Sequence, residues 1–118
     1  MTHDFYRPAS AAALEATLDA EGLPRRIGIV SAGDALTPRY LARNMPALAS
    51  RLELPDKVSS EGLFDLPYAI AHRRIAHRAT DQRVPIGNWR AVGHSQNAFF
   101  IEAFIDELAQ AGGRDPLE

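Results

Sequence analysis

The chain has no cysteine, so disulfides, thiolate metal sites and cysteine nucleophiles are all excluded. No apolar run approaches the roughly 20 residues of a membrane span, and the first residues lack the basic-then-apolar plan of a signal peptide. Neither sign of charge dominates: 13 Lys and Arg face 15 Asp and Glu, a formal net charge of -2. That balance offers no electrostatic reason to expect nucleic acid or an anionic membrane as partner. Histidine is sparse as well, and His3, His72, His77 and His94 form no metal-ligand spacing. His72 and His77, five apart, would leave a strand on opposite faces. What remains is an ordinary composition, 46% hydrophobic and 24% charged in 118 residues, read as one soluble domain over residues 1–118 with a cytoplasmic default location.

The most strongly patterned stretch lies near the end. From residue 98 to 109, Ala98, Ile101, Phe104, Ile105 and Leu108 recur at the spacing of one helix face. Phe99, Phe100 and Ala103 carry apolar surface further round, so a helix over about 95–111 is expected to be covered on more than one side. Ser95 or His94 fits its start, and Gly112 with Gly113 its stop. Beyond it, Asp115-Pro116-Leu117-Glu118 has the layout of a capping box for a further helix, so the fold is expected to continue past this segment.

Residues 9–20 are ambiguous. Alanine content favours helix. Yet Ala11, Ala13, Glu15, Thr17 and Asp19 alternate with Ala12, Leu14, Ala16 and Leu18 at period two. After a Gly-Pro turn, residues 26–31 carry Ile27, Ile29 and Val30 and read as a strand, so a hairpin competes with helix–turn–strand. Thr37-Pro38 reads as a helix start with threonine as cap, and Pro46 limits that helix to about two turns or restarts it over 47–52. Residues 53–65 read as a loop, 67–70 as a short extended piece, and 73–80 as a half-exposed strand.

Candidate chemistry is thin. Arg73, Arg74, Arg78 and Arg83 form a basic cluster, read as a solvated strand face. The run from Gly28 to Gly33 lacks the third glycine and following helix of a nucleotide loop. Ser31 or Ser95 with a histidine would need a nucleophile elbow and an orienting acid to make a hydrolase. Glu102, facing apolar surroundings, reads as an acceptor for backbone or arginine donors. Arg90 stands out: it lies between Trp89 and Gly93 just ahead of a helix start, where free N–H groups favour anions.

The run PIGNWRAVGHSQNAFFIEAFIDELA (residues 85–109), followed by GRDPLE (113–118), resembles the molybdopterin-binding large subunit of the xanthine dehydrogenase/aldehyde oxidase family. The isoquinoline 1-oxidoreductase beta-subunit branch is most similar. HDFYRP (3–8) and DLPYAI (65–70) carry the same likeness, which thins over 33–64. The resemblance implies a segment of a molybdenum hydroxylase that inserts water-derived oxygen into an N-heteroaromatic or aldehyde. Its electrons would pass to an iron–sulfur partner subunit, and a periplasmic location stays open for the parent. It implies that Arg90 lies at the molybdenum cofactor, that Gln96 lies near the same corner, and that Val92 flanks the substrate. In the family the position of Val92 is often aromatic and that of Ala91 often glycine; both differ here.

The resemblance supplies no match here for the family's catalytic glutamate, so the isolated segment is expected to be inactive, with no bound cofactor and no protein metal ligand. It also turns residues 9–32 into a hairpin. The expected fold is therefore α+β: a small antiparallel sheet (hairpin about 9–32 plus a strand about 72–80) packed on the helix about 95–111. The competing reading is a stand-alone interaction module that binds a partner, or itself as a homo-oligomer, through an apolar helix face or sheet edge.

Overall fold

A computed structural model describes residues 5–49 and 56–117. The order is β1 (Ser10–Leu18), β2 (Pro24–Asp34), α1 (Leu36–Asn44), α2 (Pro46–Ala49), a 3-10 turn (Val58–Ser60), β3 (His72–Thr80) and α3 (Val92–Gly112). The fold is α+β, with a three-stranded sheet in the order β1-β2-β3.

β1 and β2 form the antiparallel hairpin, pairing Leu14 with Ile29 and Ala16 with Ile27. Period two wins over alanine's helix propensity because it puts Ala12, Leu14, Ala16 and Leu18 on one half-buried face. The turn is closed by the Asp19 carboxylate, which accepts the N–H groups of Glu21 (3.1 Å) and Leu23 (2.8 Å).

The third strand corrects the expectation of an antiparallel sheet. β3 runs parallel to β2, with Ile29 opposite Ile75 and Ser31 opposite His77, so the sheet is mixed. A parallel partner needs a crossover of a dozen residues or more. Residues 35–71, with both short helices and the 3-10 turn, provide it.

That connection also supplies much of the core. Leu63, Leu66 and Ile70 are buried against Ile27 and Ile29 of β2 and Ile101 of α3, with Leu14, Tyr68, Ile75, Phe104 and Ile105 packed around them. Burying each such side chain contributes roughly 1.5–3 kcal/mol. Residues 67–68 form a bend and 69–70 belong to no strand, yet Ile70 still plugs the core. Of the restarted helix, Pro46–Ala49 is helical; the rest of its expected span lies outside the described residues.

The start of α1 also differs. Thr37 is inside the helix and Ala35 is the capping position, without a side-chain bond. The Asp56 carboxylate takes over: it accepts from Leu36 N–H (2.7 Å), Thr37 N–H (3.4 Å) and Thr37 Oγ1 (3.0 Å). A carboxylate there meets both the unpaired N–H groups and the positive end of the helix dipole.

α3 crosses the sheet with both ends held by glycine. A Cβ on Gly93 would stand 2.3 Å from the Val58 carbonyl oxygen, and one on Gly112 would stand 2.5 Å from that of Gly22. The buried stripe runs Gly93, Asn97, Ile101, so Ala98, expected on it, is exposed instead. The helix is covered on one side only, and Phe99 is 70% exposed. The other sheet face carries Val30 at 61% exposure, and the molecule measures 55 × 33 × 19 Å. Its radius of gyration of 17.0 Å exceeds the about 13.5 Å of a compact domain this long, as befits a flat two-layered slab. Among the described residues no helix is long and apolar enough to cross a membrane.

Candidate functional site at the start of the long helix

Residues 84–91 lead into α3 and end in a strained corner. Ala91, the capping position, is left-handed (φ 69), and Val92 follows at φ 37. A non-glycine residue there costs roughly 1–2 kcal/mol, because Cβ crowds the carbonyl oxygen. Such strain persists only where packing over-determines it. The packing is Gly93 against the Val58–Ser59 backbone, with Asn97 one turn on. Asn97 is buried, and its amide donates to the carbonyls of Ser59 (3.1 Å) and Glu61 (2.9 Å). α3 therefore starts at Val92, three residues before the expected Ser95, because docking rather than a side-chain cap sets its first turn.

The N-terminal strap closes over the same corner. Tyr6 bridges Ile86, donating its N–H to Pro85 O (2.9 Å) and accepting from Gly87 N–H (3.1 Å). Trp89 Nε1 donates to Phe5 O (3.1 Å), and the Arg7 guanidinium sits 5.7 Å above the Trp89 ring. Arg7 also donates to Ser95 Oγ at 2.5 Å. That hydroxyl lies 3.0 Å from both Val92 O and Gln96 Oε1, so its proton serves one of them.

Arg90 is exposed and makes no hydrogen bond or ion pair among the described residues. Val92 and Gln96 are four apart, both half-buried, on one side of the first turn of α3. The three residues expected at the site thus fall at one helix start, while Arg7 and Asn97 complete the corner unforeseen. The signal for Asn97 was available: it stands four residues from both Gly93 and Ile101, in the stripe itself.

The hydrolase reading finds no geometry. Ser95 bonds as above and not to His94, whose ring packs on Gly62 (a Cβ there would meet His94 Nδ1 at 2.8 Å). Ser31 Oγ does lie 2.7 Å from His77 Nδ1. However, Ser31 is buried on a strand, and His77 Nε2 is buried without a partner among the described residues, so no acid among them orients the ring. Burial pushes the His77 pKa below its ordinary value, against the opposing pull of Asp56. Asp34, also buried, accepts from Thr80 Oγ1 and Gln82 N–H (3.0 Å each) through Oδ1, while Oδ2 has no partner among the described residues. Glu102 accepts from a tyrosine instead of an arginine. Tyr68 donates to it at 2.5 Å, and that bond, with burial, pushes the phenol up to about 12.

The basic cluster divides. Arg73, Arg74 and Arg78 lie exposed along β3, whereas Arg83 lies beyond it, left-handed at φ 62. Among the described residues no group of three or more histidines and carboxylates could hold a metal ion. His3 lies outside the described residues. Comparison with protein-family models, curated proteins and solved structures returns no match.

Proposed function

We propose that this chain is a segment of the molybdopterin-binding subunit of a molybdenum hydroxylase, with Arg90 at the cofactor. The observation that carries the reading is Ala91: its backbone is left-handed at the position where the resembled family often has glycine. A corner that holds this turn against a steric cost presents Arg90 immediately before a helix start.

The residues present suit an anionic cofactor. Arg90 has a full set of unengaged donors among the described residues and stands two residues before α3, whose first N–H (Val92) donates to Trp89 O at 3.0 Å. In that role Arg90 binds and orients the oxyanion side of the group, and Gln96 adds an amide one turn into the helix. Val92, smaller than the aromatic usual at its position, leaves more room on the substrate side. The cofactor, when bound, supplies the oxygen transfer and the two-electron redox step, and an iron–sulfur subunit takes the electrons.

The test is metal and activity analysis of the complete gene product purified with its iron–sulfur partner. Expected are stoichiometric molybdenum, dye-linked hydroxylation of an N-heteroaromatic or aldehyde, and at least a tenfold loss in Arg90→Ala. Absence of molybdenum from that preparation would overturn the reading. The chain alone is expected to bind none and to be inactive.

A second reading, a self-associating interaction module, is favoured by the exposure of Phe99 and Val30. Mass in solution decides it: a monomer at high micromolar concentration removes this alternative.

A further inference from the structure

A shallow, open depression of about 460 Å³ lies between α1 and the segment that follows β3, and it shares Phe5, Pro85 and Ile86 with the strap over the corner at Arg90. Its walls carry Arg39 and Arg43 from α1, Asp81 and Arg83 from the segment, and the apolar Phe5 and Ile86. Three guanidinium groups against one carboxylate leave two positive charges uncompensated.

Two of these arginines are held in place. Arg39 donates to Val84 O and to the Asp81 carboxylate. The Arg43 guanidinium carbon lies over the Phe5 ring, 3.9 Å from its centre, and one of its N–H groups donates to Ile86 O (3.3 Å). The Arg83 guanidinium makes no hydrogen bond among the described residues, and its backbone is held left-handed while its N–H bonds to Asp81 Oδ1 (3.0 Å). Each guanidinium has five N–H donors in a rigid fork, so most donors in the cleft are unengaged. The stacking and backbone bonds reduce the entropy a ligand must remove. Asp81 already occupies one side as a planar carboxylate, held below the usual carboxylate range by the Arg83 N–H and by Arg39.

We propose that this cleft binds the phosphate group of a small molecule, with Arg39, Arg43 and Arg83 contacting its oxygens and Phe5 and Ile86 covering the apolar part. Tetrahedral oxyanions suit three guanidinium forks on two walls better than a planar carboxylate does, because they offer more than two oxygens. The proposal does not depend on the molybdenum reading.

The experiment is calorimetric titration of the chain with inorganic phosphate, pyrophosphate and acetate, against sodium chloride of matched ionic strength. Saturable binding of phosphate or pyrophosphate, with acetate at least tenfold weaker, is expected. Arg43→Gln and Arg83→Gln, both at exposed positions, should each weaken it about tenfold, while Arg74→Gln on β3 should leave it unchanged. Asp81→Asn should tighten phosphate binding at least threefold by removing the competing carboxylate, a gain that no purely structural role for these arginines produces. Matching heats from chloride, equal acetate binding, no change in the two cleft variants, an equal loss in Arg74→Gln, or weaker binding in Asp81→Asn would each overturn the proposal.

Discussion

The two ends of α3 solve the same problem differently. At the far end Gly113 takes the left-handed conformation at φ 66, and the N–H groups of Gly113 and Arg114 close back on Gln110 O (3.2 Å) and Ala109 O (2.9 Å). That is a Schellman stop, with glycine where glycine belongs. Arg114 there donates to Glu21 O at 3.0 Å. At the near end the left-handed residues are Ala91 and Val92, and the adjacent arginine is unengaged among the described residues. One end is relaxed and satisfied; the other is strained and holds donors in reserve. The difference separates a structural terminus from a candidate site, although a glycine pins the helix at both.

The comparison can be broken most forcefully at the pins. Gly93→Ala forces a methyl onto the Val58–Ser59 backbone, which is itself held by Asn97, and should cost about 3 kcal/mol or more in chemical denaturation. Gly112→Ala meets only a hairpin turn at Gly22, which has more room to move, and should cost about half as much. Equal losses would mean that the ends are equally rigid. Next comes Asn97→Ala, which strips donors from the Ser59 and Glu61 carbonyls and should cost about 2–3 kcal/mol in the same assay.

A reciprocal exchange sharpens the contrast in sign. Ala91→Gly should stabilise by about 0.5–1 kcal/mol, the left-handed penalty less glycine's greater chain entropy. Gly113→Ala should destabilise by about 1 kcal/mol. Melting temperatures moving in opposite directions is the expected result; a loss in Ala91→Gly would deny the strain at the site.

The smallest effects come with pH. Because His77 is depressed in the folded state, the unfolded chain binds the proton more readily once pH falls below the ordinary value near 6.5. Stability present above that value is therefore lost as pH falls, and His77→Gln should flatten the acid limb. Tyr68 has the opposite sign: its stabilising contribution is intact below about pH 10 and is lost as pH rises toward 12. Ultraviolet titration of the phenol reads that shift, and Tyr68→Phe should abolish the alkaline dependence.

Local pattern carried what depends on nearest neighbours. Period two over residues 11–19 marked the face that β1 buries, although alanine content left a helix open until the family resemblance pointed to a hairpin; alternation over 73–80 marked β3, which covers 72–80. The helix stop at Gly113 followed from the one residue type that tolerates its φ. Arg90, Val92 and Gln96 were grouped by the family resemblance, and they fall at one helix start because they lie within one short run of sequence.

What only the tertiary structure decided concerns partners far apart in the chain. The direction of β3 depended on where a long crossover returned the chain. The cap of α1 came from Asp56, not from Thr37, and the beginning of α3 from Gly93 and Asn97 docking on residues 58–61. The arginine cleft joins α1 to a segment some 40 residues later, and the Ser31–His77 pair joins two strands. Periodicity reports which face of an element is apolar, because that is a property of consecutive residues. It carries no information on which distant carbonyl, carboxylate or glycine will meet that face, because that meeting is set by the packing of the whole chain.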